Sequence, residues 1–291
     1  MKSGKVDWSA YGFVAPAVLI LAVVHIYPIL WLIVLSGQET DVLRNTHEWA
    51  GLTNYKTLFE DPIFWKSAKN TLIYCLWVVP GVLVLSLALA FACQPMRDRM
   101  QHAMRAALYL PGVVSVVVLG MVWARIYDPQ FGLINRALAL IGVEGPVWLG
   151  DTTWALLAIS LMSVFSGLGT SFILCTTAIQ AVPKEYYEAG EIDGANAVRT
   201  FFAITMPLIR PTLLYLVIIL TVGSFQVFAA VFVMTDGGPN FATSTIVYLV
   251  YEFAFRYFDF GTASATSVLL LVALVVLAMV QFKTLSTDVE Y

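Results

Sequence analysis

The chain has 291 residues, of which 59% are hydrophobic and only 12% charged, and its mean hydropathy is +0.81. A soluble domain carries about 25% charged residues to hold water over its surface, so half that level excludes a conventional globular enzyme and marks an all-α integral membrane protein. The formal net charge of −3 leaves no basic field for a polyanion, which excludes nucleic acid as a partner.

A helix needs about 20 mostly apolar residues to cross the roughly 30 Å hydrocarbon core, because backbone groups cannot be left unsatisfied in lipid. Six stretches meet that requirement, roughly 11–35, 70–93, 107–127, 154–178, 208–234 and 262–282. With no internal repeat and no low-complexity stretch, they make a single membrane domain over 1–291. The first follows Lys2 and Lys5 as a signal peptide would. Its apolar run continues through Trp31 to Leu35 without a small-residue cleavage site, so it reads as a retained anchor. His25 lies inside it; beside Tyr27 and Pro28 it reads as a structural group near an interface, a proton relay being the other reading of an intramembrane ionisable side chain. Cys75, Cys93 and Cys175 fall in apolar runs and read as small hydrophobes.

Orientation follows from Lys and Arg, which are retained on the cytoplasmic side. With the N-terminus inside, the inner segments hold Lys2, Lys5, Arg97, Arg99, Arg105, Lys184, Arg199, Arg210 and Lys283, and the outer segments Arg44, Lys56, Lys66, Lys69, Arg125, Arg136 and Arg256. The compact loop 94–106 weighs most, because its three arginines sit beside span ends. Six spans then leave both termini in the cytoplasm. The outer segment 36–69, with Gln38, Glu39, Asp41, Trp49, Gly51, Asn54 and Tyr55, mixes aromatic and acidic residues as an ordered segment does, and suggests a short surface helix about Asn54 to Phe59. Arg125 and Asp128, flanking Tyr127 before Pro129, mark the outer end of the third span and suit a local ion pair.

On the fourth span Ser160, Ser163, Ser166, Gly167, Thr170 and Ser171 fall within an arc of about 140° at the helical period. Small and hydroxyl residues let membrane helices approach closely, so the stripe serves helix packing on one reading and lines a polar path on the other. On the fifth span Thr221 and Ser224 share a face, with Phe225 and Phe228 close by, and Gln226 projects elsewhere.

Between these spans runs VPKEYYEAGEIDGANAVRTFFAITMPLIRP, from Val182 to Pro211. Pro183 starts a helix well, and Glu185, Glu188 and Glu191 favour the positive end of its dipole. Gly194 interrupts it, a second helical piece follows from about Ala197 to Ile204, and Pro207 and Pro211 stand at the entrance of the next span. The result is an elbow, about 183–205, on the cytoplasmic face. It could rest on headgroups, but basic residues are sparse and its acids are repelled by the inner leaflet, so a protein partner fits better.

Glu188, Ala189, Gly194, Ile204 and Pro207 stand at the spacing of the EAA motif, Glu-Ala-Ala, three residues, Gly, nine residues, then Ile-x-Leu-Pro. Asp193, Ala195 and Pro211 extend the match, while Gly190 replaces the third Ala and Met206 the Leu. In this the chain resembles the membrane subunits of bacterial and archaeal ABC importers. Phe13 to Pro16 with Tyr27-Pro28, Gly51-Leu52-x-Asn54-Tyr55, Leu110-Pro111, and Gly237-Gly238-Pro239 followed by Thr243 and Tyr251 are similar to the carbohydrate-uptake branch, the maltose and glycerol-phosphate type permeases.

The resemblance implies a multi-pass subunit of the bacterial or archaeal cytoplasmic membrane that imports a sugar or sugar-derived solute by alternating access. It further implies a heterodimer with a second EAA-motif permease, two ATP-binding subunits and an extracytoplasmic solute-binding protein. The elbow becomes a coupling helix docked in an ATPase groove, with Glu188, Ala189, Gly190, Asp193, Gly194, Ala195, Ile204 and Pro207 as its coupling residues. Ser163, Ser166, Gly167, Thr221, Ser224 and Phe225 become the candidate substrate path, whose hydroxyl and aromatic groups suit a polyol. No G-x-x-x-x-G-K-[ST] phosphate cradle occurs, so the expectation is that this chain binds no cofactor or metal and that ATP and Mg are used by the partner subunits. A non-sugar solute such as an amino acid, phosphate or peptide is the alternative. The spans hold no acid pair or His cluster, which argues against a membrane-embedded hydrolase and against a proton-driven secondary transporter.

Overall fold

The computed structural model describes residues 8–41 and 46–285; Lys2, Lys5 and Arg44 of the charge asymmetry lie outside the described residues. In chain order the elements are α1 (Trp8–Leu21), α2 (Tyr27–Ser36), a hairpin of β1 (Gln38–Asp41) and β2 (Thr46–Trp49), α3 (Thr53–Glu60), α4 (Pro62–Cys93), α5 (Asp98–Val113), α6 (Val116–Ile126) and α7 (Leu133–Leu140). There follow α8 (Ala155–Gln180), α9 (Lys184–Ile192), α10 (Ala197–Thr200), α11 (Met206–Leu208), α12 (Arg210–Phe225), α13 (Ala229–Met234), α14 (Ile246–Tyr251) and α15 (Phe260–Leu285). π-helical turns at Ala22–Ile26 and Phe201–Thr205 join neighbouring helices, and a third at Glu252–Arg256 extends α14.

Gly12–Ser36, Pro62–Cys93, Ala155–Gln180 and Phe260–Thr284 are each long and apolar enough to cross a bilayer. Two bent pairs would add two crossings, Asp98–Val113 with Val116–Ile126 at 98° and Ala197–Leu208 with Arg210–Phe225 at 72°. The stretch 107–127 is therefore not one straight helix. Pro111 removes a backbone donor and clashes with the preceding turn, and Val114 and Ser115 are extended. The stretch 208–234 is likewise interrupted, at Ile209 and again at 226–228. Apolarity runs on through all of these breaks, so a count of apolar residues passes over them.

Packing divides the chain into two units, Met1–Asp61 with Val250–Leu271, and Pro62–Leu249 with Val272–Tyr291. In the first, no described side chain from Gly12 to Leu35 is buried, a state that lipid tolerates and water would not. The carbonyls left open where α2 ends are taken up by the segment beyond the hairpin. Asn54 Nδ2 donates to the carbonyls of Ser36 and Gln38, each at 2.9 Å, and the Tyr55 hydroxyl donates to Ser36 Oγ at 2.7 Å. The Ala50 and Gly51 amides both donate to Gly37 O. The surface helix expected at Asn54 to Phe59 is α3, one residue longer at each end.

In the second unit α8 lies between α4 and α5. Association in lipid depends on how closely backbones and side chains interlock, since lipid tails are as apolar as the helices. A Cβ on Gly81 would stand 2.9 Å from Val164 Cγ2, and one on Gly167 would stand 3.2 Å from Val82 Cγ2. At Gly169 it would collide with the carbonyl oxygen of Leu108, so α5 and α8 meet backbone to backbone there. One apolar cluster, with Tyr74, Val82, Ile159, Met162, Val231 and Tyr248, fills one end of this packing, and a second, with Cys93, Phe172, Cys175, Ile179 and Leu216, fills the other.

The segment 235–245, between α13 and α14, is irregular, with left-handed backbone at Asp236, Gly237, Asn240 and Phe241. Irregular backbone at a membrane protein's core survives only where other groups take up its donors and acceptors. Lys66 Nζ donates to Asn240 O at 2.6 Å, Asn70 Nδ2 donates to Phe241 O and Ser244 O at 2.9 Å each, and the hydroxyls of Ser67 and Ser244 share a hydrogen bond of 2.9 Å. Thr71 Oγ1 accepts from the Ile246 amide at 3.0 Å. Residues 66, 67, 70 and 71 recur at helical spacing, so one face of α4 supports the whole segment. Asp128 behaves similarly in the turn after α6. Its Oδ1 accepts from the amides of Phe131 and Gln130, which hold its carboxyl below the usual carboxylate range, and the charge of Arg125 adds to them in place of the expected ion pair.

Asn70→Leu leaves two carbonyls without a donor, at a cost of about 1–3 kcal/mol each. The expected outcome is a clear drop in the thermal midpoint of the detergent-solubilised protein, whereas Lys69→Leu, at an exposed neighbouring position, leaves it unchanged.

Candidate functional site

Two places gather the side chains that the sequence singles out. The first is a cavity of about 560 Å³ lined by α4, α6, α8, α12, the break at 226–228 and α13. It opens where α12 ends at Phe225, so that three residues pass before α13 begins. The break is stabilised by Thr245 Oγ1, which donates to Val227 O at 3.0 Å. Phe228 is stacked on Phe232 at 5.4 Å and on Tyr248 at 6.4 Å.

The cavity's polar groups are Tyr74, Ser163, Ser166, Ser224 and Gln226. Ser163 Oγ donates to Ile159 O and Ser166 Oγ donates to Ser163 O, both at 3.0 Å. Of the candidate path, Ser163, Ser166 and Ser224 line this cavity. Gly167 is instead used in packing on Val82, Thr221 is buried and accepts from Gln281 Nε2 at 2.9 Å, and Phe225 is buried. The stripe on α8 thus divides between helix packing at Gly167 and cavity lining at Ser163 and Ser166. Tyr74 is the lining group that sequence reasoning passes over, and Gln226, read there as projecting from a different face, also lines the cavity, at the residue where α12 ends.

The second place is the elbow. Gly194, at φ +70°, ends α9 in the left-handed conformation that glycine adopts without strain. The Ala195 amide donates back to Gly190 O at 2.9 Å, and Asn196 Oδ1 accepts from the Arg199 amide at 2.9 Å to cap α10. The two arms touch at motif positions. A Cβ on Gly190 would stand 2.8 Å from Ile204 Cδ1, and the hydroxyls of Tyr187 and Thr205 are 3.3 Å apart. Gly190 is buried and Ala195 and Ile204 are half-buried, whereas Glu188, Ala189, Asp193, Gly194 and Pro207 are exposed. Glycine at the third-Ala position thereby seats Ile204. Tyr186, Ile192, Val198 and Phe202 are also exposed, Ile192 at 88%, which leaves an apolar surface beside the acids. Among the described residues no group of three or more His, Cys, Asp or Glu side chains could hold a metal ion.

A family model described as the binding-protein-dependent transport system inner membrane component matches residues 64–288. The chain is 31% identical over 257 residues to the sulfoquinovosyl glycerol transport system permease protein of Agrobacterium fabrum, covering 88% of this chain and 83% of the relative. It is 32% identical over 288 residues to the sn-glycerol-3-phosphate transport system permease protein of Yersinia pestis bv. Antiqua, covering 98% and 96%. A chain of a bacterial ABC transporter involved in the import of the acidic polysaccharide alginate shares the fold, with a TM-score of 0.84 at 20% identity over 98% of this chain and 97% of that one.

The contact between Gly190 and Ile204 makes a compensating pair. Gly190→Leu is expected to push the arms of the elbow apart and speed proteolytic cleavage at 193–196, and Gly190→Leu with Ile204→Ala is expected to bring the rate most of the way back.

Proposed function

Because the chain belongs to the family of binding-protein-dependent transport system inner membrane components, we propose that it is the permease subunit of an ABC importer that carries a sugar or sugar-derived solute across the cytoplasmic membrane. Family members of this kind are transport subunits, not enzymes. The observation that carries the solute class is identity above 30% along most of the chain to permeases whose names specify a sulfoquinovosyl glycerol and a glycerol phosphate.

In this reading the whole chain is one membrane domain of six crossings, four of them single long helices and two of them bent pairs, with both termini in the cytoplasm. The elbow at 183–205 is the coupling helix. Glu188 and Asp193 present charge, and the exposed apolar side chains beside them present area, to one of two ATP-binding subunits. Those subunits use ATP and Mg; this chain supplies no phosphate-binding loop. A second permease with its own elbow completes the route, and an extracytoplasmic binding protein delivers the solute.

The chain's own residues suggest how the parts would communicate. The elbow runs through α10 and α11 into the bend at Ile209, which is 2% exposed and packed in the second apolar cluster. From there α12 runs 16 residues, about 24 Å, to the cavity at Ser224. A displacement of α9 by closing ATPase subunits would therefore tilt the helix whose far end lines the cavity, a rigid-body alternation between inward-open and outward-open arrangements. Ser163, Ser166, Ser224, Tyr74 and Gln226 would meet the solute on the way.

Glu188→Lys combined with Gly194→Trp is expected to abolish ATP-driven uptake while the protein still inserts and assembles with its partner permease; full uptake with ATPase subunits retained would refute the coupling role. Gly194→Asn, which tolerates the left-handed backbone, is expected to keep most of the activity. Vesicles holding this chain and the ATPase subunits without a second permease are expected to show no uptake, and measurable transport would refute the heterodimer.

A further inference from the structure

The cavity is built from uncharged groups. Of its fourteen lining residues five are polar, Tyr74, Ser163, Ser166, Ser224 and Gln226, and none is an Asp, Glu, Lys or Arg. The serines on α8 are further specialised. Each spends its single proton on a helix carbonyl, Ser163 on Ile159 and Ser166 on Ser163. A hydroxyl so engaged offers only lone pairs to a solute. This wall therefore accepts hydrogen bonds, and a sugar hydroxyl can donate to it. A carboxylate, phosphate or sulfonate has only lone pairs to offer in return, and its charge would lose water with no cation in the lining to offset the loss.

We propose that the part of the route built by this chain selects uncharged, hydroxyl-rich solutes and discriminates against anionic ones, with Ser163 and Ser166 as the acceptor wall. The proposal rests on the sugar-import reading above and narrows it. The relatives named above point the other way, being named for a sulfonated sugar, a phosphate ester and an acidic polysaccharide, so the narrowing rests on the lining of this chain's cavity alone.

The test uses the assembled importer with Ser163→Cys or Ser224→Cys, treated with two thiol reagents of similar size, neutral methyl methanethiosulfonate and anionic sulfonatoethyl methanethiosulfonate. Each rate is divided by that reagent's rate with a free thiol, and the unsubstituted chain, with its own Cys75, Cys93 and Cys175, serves as the blank. The expected result is a normalised preference for the neutral reagent of about tenfold or more, as exclusion of a charge from a membrane interior predicts. Adding Gln226→Arg should shrink that preference by placing a cation in the lining. Equal or faster modification by the anionic reagent would overturn the proposal, because the assembled cavity would then accept anions, while leaving the import reading intact. Modification by neither reagent would remove Ser163 and Ser224 from any accessible route, and the pathway assignment would fall with the proposal.

Discussion

A backbone amide or carbonyl inside a bilayer has no water to turn to, and much of this structure answers that one demand. Where the helices continue, the chain meets it locally. Where they break, a side chain from elsewhere steps in: Asn54 at the end of α2, Asn70, Lys66 and Thr71 under the segment 235–245, and Thr245 at the break after α12. Each of these is a polar residue in or beside an apolar run. An unsatisfied buried polar group costs several kcal/mol in such surroundings, so these contacts decide whether the breaks can exist.

The breaks in turn make the cavity. Had 208–234 been one helix, no gap would separate α12 from α13. The bend after Pro111 likewise lets α5 run along α8 before α6 turns away, and the close approach at Gly169 depends on it. Small residues on α8 therefore divide their roles by position. Gly167 and Gly169 bring neighbouring helices close, while Ser163 and Ser166, a turn or so earlier, face the space that the breaks leave open.

The elbow shows the same economy at a surface. Gly190 and Gly194 act differently although both depend on the missing side chain: one admits Ile204, the other supplies a left-handed turn with open space around it. Together they fold α9 back along the following arm and leave Glu188, Asp193 and an apolar surface outside. The elbow is thus an exposed surface joined through the bend at Ile209 to the helix whose far end lines the cavity, a connection that suits the coupling role proposed for it.

Much of this was legible in the sequence. Low charge and long apolar runs determine a helical membrane protein, because lipid admits few other solutions, and Pro183, Gly194 and the two later prolines mark the elbow because each constrains the backbone locally. The long helices α4, α8 and α15 and the short α3 follow from the same local rules. Pro111 and Pro211 mark two of the bends locally, but tertiary structure alone decided the break at 226–228, since Val227 carries no local signal strong enough to end a helix, and the partners that make such irregular backbone tolerable lie elsewhere in the chain, as Thr245 does from Val227 and Asn70 from Phe241. It also decided which members of the small-residue stripe pack and which line a cavity. The helical period places Ser163 and Gly167 on one face, but only the neighbours at that depth, Val82 against one and open space against the other, separate their roles.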